Sequence, residues 1–524
     1  MAEPRRMDGM YGTDGIHGMH DVAIVGLGPT GATLANLLGA AGLSVVVLEK
    51  EGAVFPLPRA IHFDGEVLRI LQAAGLREQA LAIARPGEQG MHFVNGAGET
   101  MLIRGGSAAL GPHGGANNYY FHQPELEAVL REGLARFANV DVRLRSEVTA
   151  VAQDADGATL EVRDTGHNLA STVRARYVVG CDGARSPVRQ HMGSPMIDLG
   201  LRQPWLVFDV VLQEPVDLPT HTVQHCDPAR PMTYCNVVGD RRRWEIMVLP
   251  GDDREALVQP ESLWRLVAPW VRPEQARLER AAIYTFHSVI ASGWRQGRLL
   301  LAGDACHQTP PFLGQGMCAG IRDAANLAWK LEAVLARQAP DALLDTYESE
   351  RAPHVRALVE LAVRLGNIIQ TTDPALAAER DAKFRAGRPE IFELPPQVLG
   401  AGAFDAWGAS DAPGTQPGSP AGRPFPQPRL RDGRLLDELL GRRSAVIGRP
   451  DTLAAAAPAT MARWHRAGAL VIDRPEEALG DWLGEWLDAH AAQAVILRPD
   501  RYIVGVARTG HDLDRISQHL PVAP

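Results

Sequence analysis

Three short segments hold residues whose types and spacing could do chemistry. The first is Gly26-Leu27-Gly28-Pro29-Thr30-Gly31, with Glu49-Lys50 closing the apolar run Ser44-Val45-Val46-Val47-Leu48. Glycines at this spacing allow a tight turn and close backbone approach to a pyrophosphate. A helix N-terminus favours its negative charge, and an acid ending the next strand can bond ribose hydroxyls. The second segment, Tyr177-Val178-Val179-Gly180-Cys181-Asp182-Gly183-Ala184-Arg185-Ser186-Pro187, reads in isolation as a strand ending in an Asp-Gly turn. The third is Leu300-Leu301-Ala302-Gly303-Asp304-Ala305-Cys306-His307-Gln308-Thr309-Pro310-Pro311, followed by Gly314-Gln315-Gly316-Met317. There Asp304 can accept from a sugar-alcohol hydroxyl, and glycine-flanked amides at a helix start can approach an anionic ring or phosphate.

The elements that must position these residues follow from hydrophobic period. Residues 22–25 form a short β-branched run, 32–41 a helix former ending at Gly42, and 44–48 a second buried strand. Strand, turn, helix and strand in this order make a βαβ unit with a parallel sheet. Helix-like stretches follow at 66–83 and 124–137, with strands at 140–145, 158–163 and 176–179. From 205 to 250 the pattern turns strand-rich, as expected of a mixed or antiparallel sheet inserted into the α/β body. A buried strand at 299–302 and a long amphipathic helix at 320–335 come next. Residues 401–428 are rich in Gly, Pro, Ser and Ala, a linker composition. The last α/β stretch places strands at 444–447, 469–472, 494–497 and 503–506.

Composition limits the partners. The 524 residues carry 53 Lys plus Arg against 62 Asp plus Glu, a net charge of -9, which argues against a nucleic-acid binder. No run is long and apolar enough for a membrane span, and residues 1–20 lack a secretory core and read as a disordered leader. The five cysteines, Cys181, Cys226, Cys235, Cys306 and Cys318, are sparse and unpaired in spacing, which fits a reducing, cytoplasmic setting. No His, Cys or carboxylate cluster has ligand spacing, so no metal is expected.

Taken together and in this order, the three segments resemble the single-component flavoprotein aromatic hydroxylases of the para-hydroxybenzoate hydroxylase fold. The resemblance runs from about Asp21 to Val355 and continues through Arg322-Asp323-Ala324 and Asn326-Leu327-Ala328-Trp329-Lys330-Leu331. It implies a Rossmann-like FAD-binding domain (21–95, 115–190 and 290–355) and a substrate-binding sheet domain (96–114 and 191–289). A helical connection and linker (356–428) and a thioredoxin-like domain (429–524) would follow. It assigns Gly26, Gly28, Thr30 and Gly31 to the FAD pyrophosphate, and Glu49 and Lys50 to the adenosine end. Gln123 and Val148 would touch FAD, and Asp182 would border FAD and the nicotinamide. Gly303 falls to the ribityl segment, Asp304 to the ribityl chain or pyrophosphate, and Pro310, Gly314, Gln315, Gly316 and Met317 to the isoalloxazine. Arg59 falls beside the moving flavin. The tail has no cysteine, which excludes dithiol chemistry and leaves packing or oligomer contacts, with a homodimer as the candidate assembly.

The implied reaction uses NADH or NADPH and O2 to place one oxygen ortho to a phenol hydroxyl. Segments 222–231 and 243–247 resemble the 3-(3-hydroxyphenyl)propionate and 3-hydroxycinnamate hydroxylase branch. Alternatives are another phenol, an aromatic polyketide, or a non-catalytic FAD-binding regulator. A base or acceptor near the phenol hydroxyl is expected, with His62 and Asp64 as candidates beside Arg59; Asp64 can equally cap a helix. Arg202, Arg241, Arg242 and Arg243 are the candidates for a substrate carboxylate. Trp205, Tyr234 and Trp244 could wall an aromatic pocket, and His307 is read as packing.

Overall fold

The computed structural model describes residues 18–57, 59–386, 394–404 and 420–522. The expected leader lies outside them up to residue 17, and His20 already opens the first strand. The strands His20–Val25 and Val45–Leu48 run parallel, Val22 opposite Val45 and Val25 opposite Leu48, joined by the helix Pro29–Ala40. On the other side His20–Val25 pairs in parallel with Ala170–Gly180, which pairs with Leu299–Leu301, and Val140–Arg143 pairs with Val45–Leu48. The central strands are buried along their length, as a parallel sheet covered by helices requires. Parallel pairing has a direct consequence for function. Gly26, Glu49, Cys181-Asp182 and Gly303 all follow the carboxyl ends of neighbouring strands, where ligands of open α/β sheets bind.

The second sheet has eight strands in the order His307–Gln308, Ala276–Ala291, Met196–Leu212, Arg241–Met247, Met232–Asn236, Thr222–Cys226, Met91–Asn95 and Thr100–Arg104. All neighbours are antiparallel except Thr222–Cys226 with Met91–Asn95. That pairing corrects the expected boundary at 95: Met91–Asn95 belongs to this sheet, not to the first. The helix expected over 66–83 is two, Gly65–Ala73 and Arg77–Ala82, broken where Gly75 takes φ +72° and its N–H bonds Gln72. A three-stranded sheet, His62–Asp64, Asn118–Phe121 and Ala84–Pro86, stands apart from both larger sheets.

The tail folds around a four-stranded sheet ordered Leu470–Ile472, Ala445–Gly448, Ala494–Leu497 and Ile503–Ala507, within two residues of the expected strands. Its first pair is parallel and the others are antiparallel. It docks on the α/β body through polar contacts, among them Arg69 to Asp437 at 2.6 Å, Trp329 to Asp500 at 3.0 Å and Arg498 to Glu350 at 2.9 Å. The connection is helical over Thr346–Ile369 and Pro374–Arg385, and most of the expected linker lies outside the described residues. Among the described residues no helix is long and apolar enough to cross a membrane.

Candidate active site

A cleft of about 1740 Å³ runs from the carboxyl ends of the first sheet to the face of the second. At its near end the glycine turn is fixed by close backbone approach. A Cβ on Gly26 (φ +98°) would lie 2.5 Å from the Cys181 carbonyl oxygen, and one on Gly31 would lie 2.1 Å from the Gly26 oxygen. The first two motifs therefore pack backbone to backbone. A Cβ on Gly303 would meet Thr30 Oγ1 at 2.6 Å, so the third motif closes on the first. Gly28 differs: its missing side chain points into open space along the cleft. Glu49 accepts from the Leu27 N–H at 2.7 Å and the Glu51 N–H at 2.9 Å, which orients its carboxylate beside the turn. Thr30, Lys50 and Val148 also line this end.

Further along, Asp182 accepts from the Val188 N–H at 3.1 Å through one oxygen. The other oxygen is buried without a partner among the described residues, and burial pushes this carboxyl up. An orphaned acceptor on a cleft wall, beside a glycine turn open to the cleft, is what a cofactor with donor hydroxyls would complete. Asp304 is exposed to the cleft. Gln123 receives the N–H groups of Arg59 at 3.1 Å and Ala60 at 2.5 Å, and donates to Glu127 at 2.7 Å. The Arg59 carbonyl is held by Arg243 at 2.7 Å, while the guanidinium stacks 5.0 Å from the Phe55 ring.

Where the two sheets meet, Gly314, Gln315, Gly316 and Met317 face His62 across the cleft. The imidazole Nε2 lies 2.9 Å from Asn118 Oδ1 and Nδ1 lies 3.3 Å from the Gly314 carbonyl. Both ring nitrogens thus face oxygen atoms, and a neutral imidazole donates to one of them. Asp64 does not join it. Its carboxylate caps the helix Gly65–Ala73 through the Val67 N–H at 3.1 Å and is paired with Arg322, away from the cleft. Burial works to raise its pKa, and the Arg322 guanidinium outweighs that and holds it below the ordinary carboxylate range. A group so held is a structural anion, not a base. Gly31, Gly303 and Pro310 also lie behind the cleft surface; Pro311 lines it in place of Pro310.

The floor of the far half comes from strand alternation. Thr233 pairs with Glu245 and Cys235 with Arg243, and these four face the cleft beside Thr222 and Gln224. Tyr234 and Trp244 therefore point the other way, into the core with Phe208 and Val223. Trp205 is fully buried against Phe312 at 5.6 Å. None of the three aromatics walls the cleft. Of the four arginines considered for a carboxylate, Arg202 and Arg243 face it and Arg241 and Arg242 do not. Arg243 is committed to Asp209 at 2.6 Å and Glu245 at 3.6 Å, with Arg280 at 3.7 Å from Asp209. Arg202 is exposed to the cleft, and Arg104, Arg280 and Tyr284 are lining residues that sequence reading passed over. Asn118 was passed over too. Period two around Arg243 points to Glu245; nothing in the local sequence points to Asn118.

His307 is fully buried, with Nε2 2.6 Å from Asp323, which also accepts from Arg351 at 3.0 Å. Cys306, His307 and Asp323 bring donor atoms within 4.8 Å of one another, but Asp323 already accepts from Arg351 and the Gly303 N–H, and burial pushes the Cys306 thiol well up. The cluster is an ion-pair core under the third motif.

A family profile described as FAD binding domain matches residues 19–362, and one described as HcaD C-terminal domain matches 422–522. A probable NADH-specific resorcinol 4-hydroxylase of Rhodococcus jostii (strain RHA1) is 40% identical, over 96% of this chain and 95% of that protein. A 3-(3-hydroxy-phenyl)propionate/3-hydroxycinnamic acid hydroxylase of Mycolicibacterium smegmatis is 36% identical, over 93% and 90%. The structure of the flavin-dependent monooxygenase PieE, in complex with FAD and substrate, shares the fold with a TM-score of 0.81 at 20% identity, over 96% and 98%. The cleft, its open glycine turn and its orphaned acceptor fit FAD, the cofactor. The chain belongs to the FAD-binding-domain family of class A flavin hydroxylases.

Proposed function

We propose that this flavoprotein monooxygenase hydroxylates a phenol ortho to its hydroxyl, with 3-(3-hydroxyphenyl)propionate or 3-hydroxycinnamate as substrate. The observation that carries the reading is His62, held between Asn118 and the Gly314 carbonyl where the two sheets meet. Bound FAD supplies electron transfer from NADH or NADPH and activation of O2. The chain's own residues do the rest. The Gly26–Gly31 turn and Thr30 would hold the pyrophosphate, Glu49 and Lys50 the adenosine end, Asp182 and Asp304 the polyol hydroxyls, and Gly314 to Met317 the ring. Arg59 would lie beside that ring, its backbone pinned by Gln123 and Arg243.

With the imidazole in its Nε2–H tautomer, a phenol oxygen that takes the place of Asn118 Oδ1 accepts from that N–H. That hydrogen bond favours the phenolate, the form of the ring more open to electrophilic attack. The second sheet then positions the ring over Thr222, Gln224 and Thr233 and keeps water from the reacting face. Arg202, a cation exposed to the cleft, suits a propionate or acrylate side chain. Relatives at 36–37% identity bearing the phenylpropionate name support this choice. Resorcinol is the second reading, favoured by the relative at 40% identity; it has no carboxylate and needs no cation. A cytoplasmic setting, where reduced nicotinamide is supplied, suits the five free cysteines.

Purified yellow protein is given NADH and O2 with each phenol in turn, and NADH loss, peroxide and hydroxylated product are measured. A 2,3-dihydroxy product from 3-(3-hydroxyphenyl)propionate, coupled to NADH loss, supports the first reading. Product from resorcinol alone replaces it with the second.

A further inference from the structure

The tail reaches the cleft through one hydrogen-bonded chain. Tyr502, at the start of the strand Ile503–Ala507, donates its hydroxyl to Glu66 Oε1 at 2.7 Å, both groups buried. The other Glu66 oxygen accepts from Arg322 Nε. The same guanidinium donates to Asp64 through Nη2 and to Gln315 Oε1 through Nη1 at 3.1 Å. Asp64 ends the strand that carries His62, and Gln315 belongs to the glycine segment on the opposite wall of the cleft. One buried arginine therefore ties together the two walls that meet at the hydroxylation site.

Donor counting gives Tyr502 its role. Two buried carboxylates share one guanidinium, which must also serve Gln315. Each oxygen must find a donor, or Arg322 must shift to serve it. Tyr502 supplies the donor on Glu66 from a separate folded unit, so Arg322 stays centred between Asp64, Glu66 and Gln315. Behind Tyr502 the Arg498 guanidinium stacks 5.9 Å from its ring, and the docking pair Arg442–Glu332 lies farther along the helix Gly316–Leu335, about 15 Å from Arg322 at the helical rise.

We infer that Tyr502 is a positioning residue of the hydroxylation site, acting through Glu66 and Arg322 on Gln315 and Asp64. The cysteine-free tail thereby has a catalytic duty beyond packing. The activity arm of the test rests on the hydroxylase reading above; the spectroscopic arm does not.

Tyr502→Phe keeps the ring and removes only the donor. The holoenzyme should retain its FAD yet show an altered visible circular dichroism of the bound flavin, and release about fivefold more peroxide per NADH consumed. Glu66→Gln should move both readouts in the same direction. The double variant should go no further than the larger single one, because the two residues act in one chain. Arg442→Met loosens the same domain contact elsewhere and should leave both readouts near wild type. Unchanged dichroism and peroxide yield in Tyr502→Phe would overturn the inference. So would an Arg442→Met protein that matches it, or additive effects in the double variant. If the wild type hydroxylates no phenol, the functional reading fails, and the dichroism of the holoenzyme alone decides the role of Tyr502.

Discussion

The glycine turn makes two substitutions of identical size behave differently, and the difference follows from geometry. At Gly31 an added Cβ would lie 2.1 Å from the Gly26 carbonyl oxygen, a backbone atom held by the first sheet that cannot swing aside. At Gly28 an added Cβ meets no atom within 4 Å, and its φ of -72° with extended ψ suits any residue. Gly31→Ala should therefore strain the protein itself by about 1–3 kcal/mol or more, a fall in melting temperature on the order of 5 °C in the FAD-free protein. Gly28→Ala should leave the FAD-free protein unchanged and intrude only on the ligand. Both should lose bound FAD, read as the flavin-to-protein absorbance ratio after purification, with scanning calorimetry on the stripped proteins. Equal destabilisation by the two changes, or wild-type FAD content in Gly31→Ala, would refute the argument that the turn is packed on one side and open to its ligand on the other.

Three further outcomes follow from other parts of the molecule. Asp209→Ala leaves Arg243 and Arg280 buried beside too little negative charge and should cost about 3–5 kcal/mol in denaturant unfolding. Burial pushes the Glu66 pKa up, but Arg322 outweighs it and holds the group at about 2 against an ordinary 4.5. Its share of stability, about 3 kcal/mol, is complete above the ordinary value and drains away as pH falls from there to about 2. Glu66→Gln should flatten the denaturant midpoint over that window. Arg202→Met should raise KM for 3-(3-hydroxyphenyl)propionate by about tenfold, the loss of one charge-assisted contact, and leave KM for resorcinol unchanged.

What could be read from the chain alone divides along a physical line. The β-branched runs at 22–25, 45–48 and 494–497 announce strands because their burial is local and continuous, and the structure has them there. The three motifs share one cleft because parallel strands send their carboxyl ends to one side, a fact implicit in the βαβ order. Long-range partners are another matter. Asp64 looks like an acid beside His62 until Arg322, 258 residues away, claims it. Met91–Asn95 carries no sign that it will lie parallel to Thr222–Cys226. Trp244 and Arg243 are adjacent, and only the register with Cys235 and Tyr234 decides which of them faces the cleft. Gln315 and Tyr502 show their connection only once the tail is docked.

The measurement that bears most directly on the central claim is isotopic. The holoenzyme is incubated with NADH, 3-(3-hydroxyphenyl)propionate and isotopically heavy O2, and the product is identified by mass and by ring substitution. The expected result is a 2,3-dihydroxy product carrying one heavy oxygen, with NADH consumed in step. NADH consumption that ends only in peroxide for every phenol tried, or a product whose new oxygen comes from water, would contradict it.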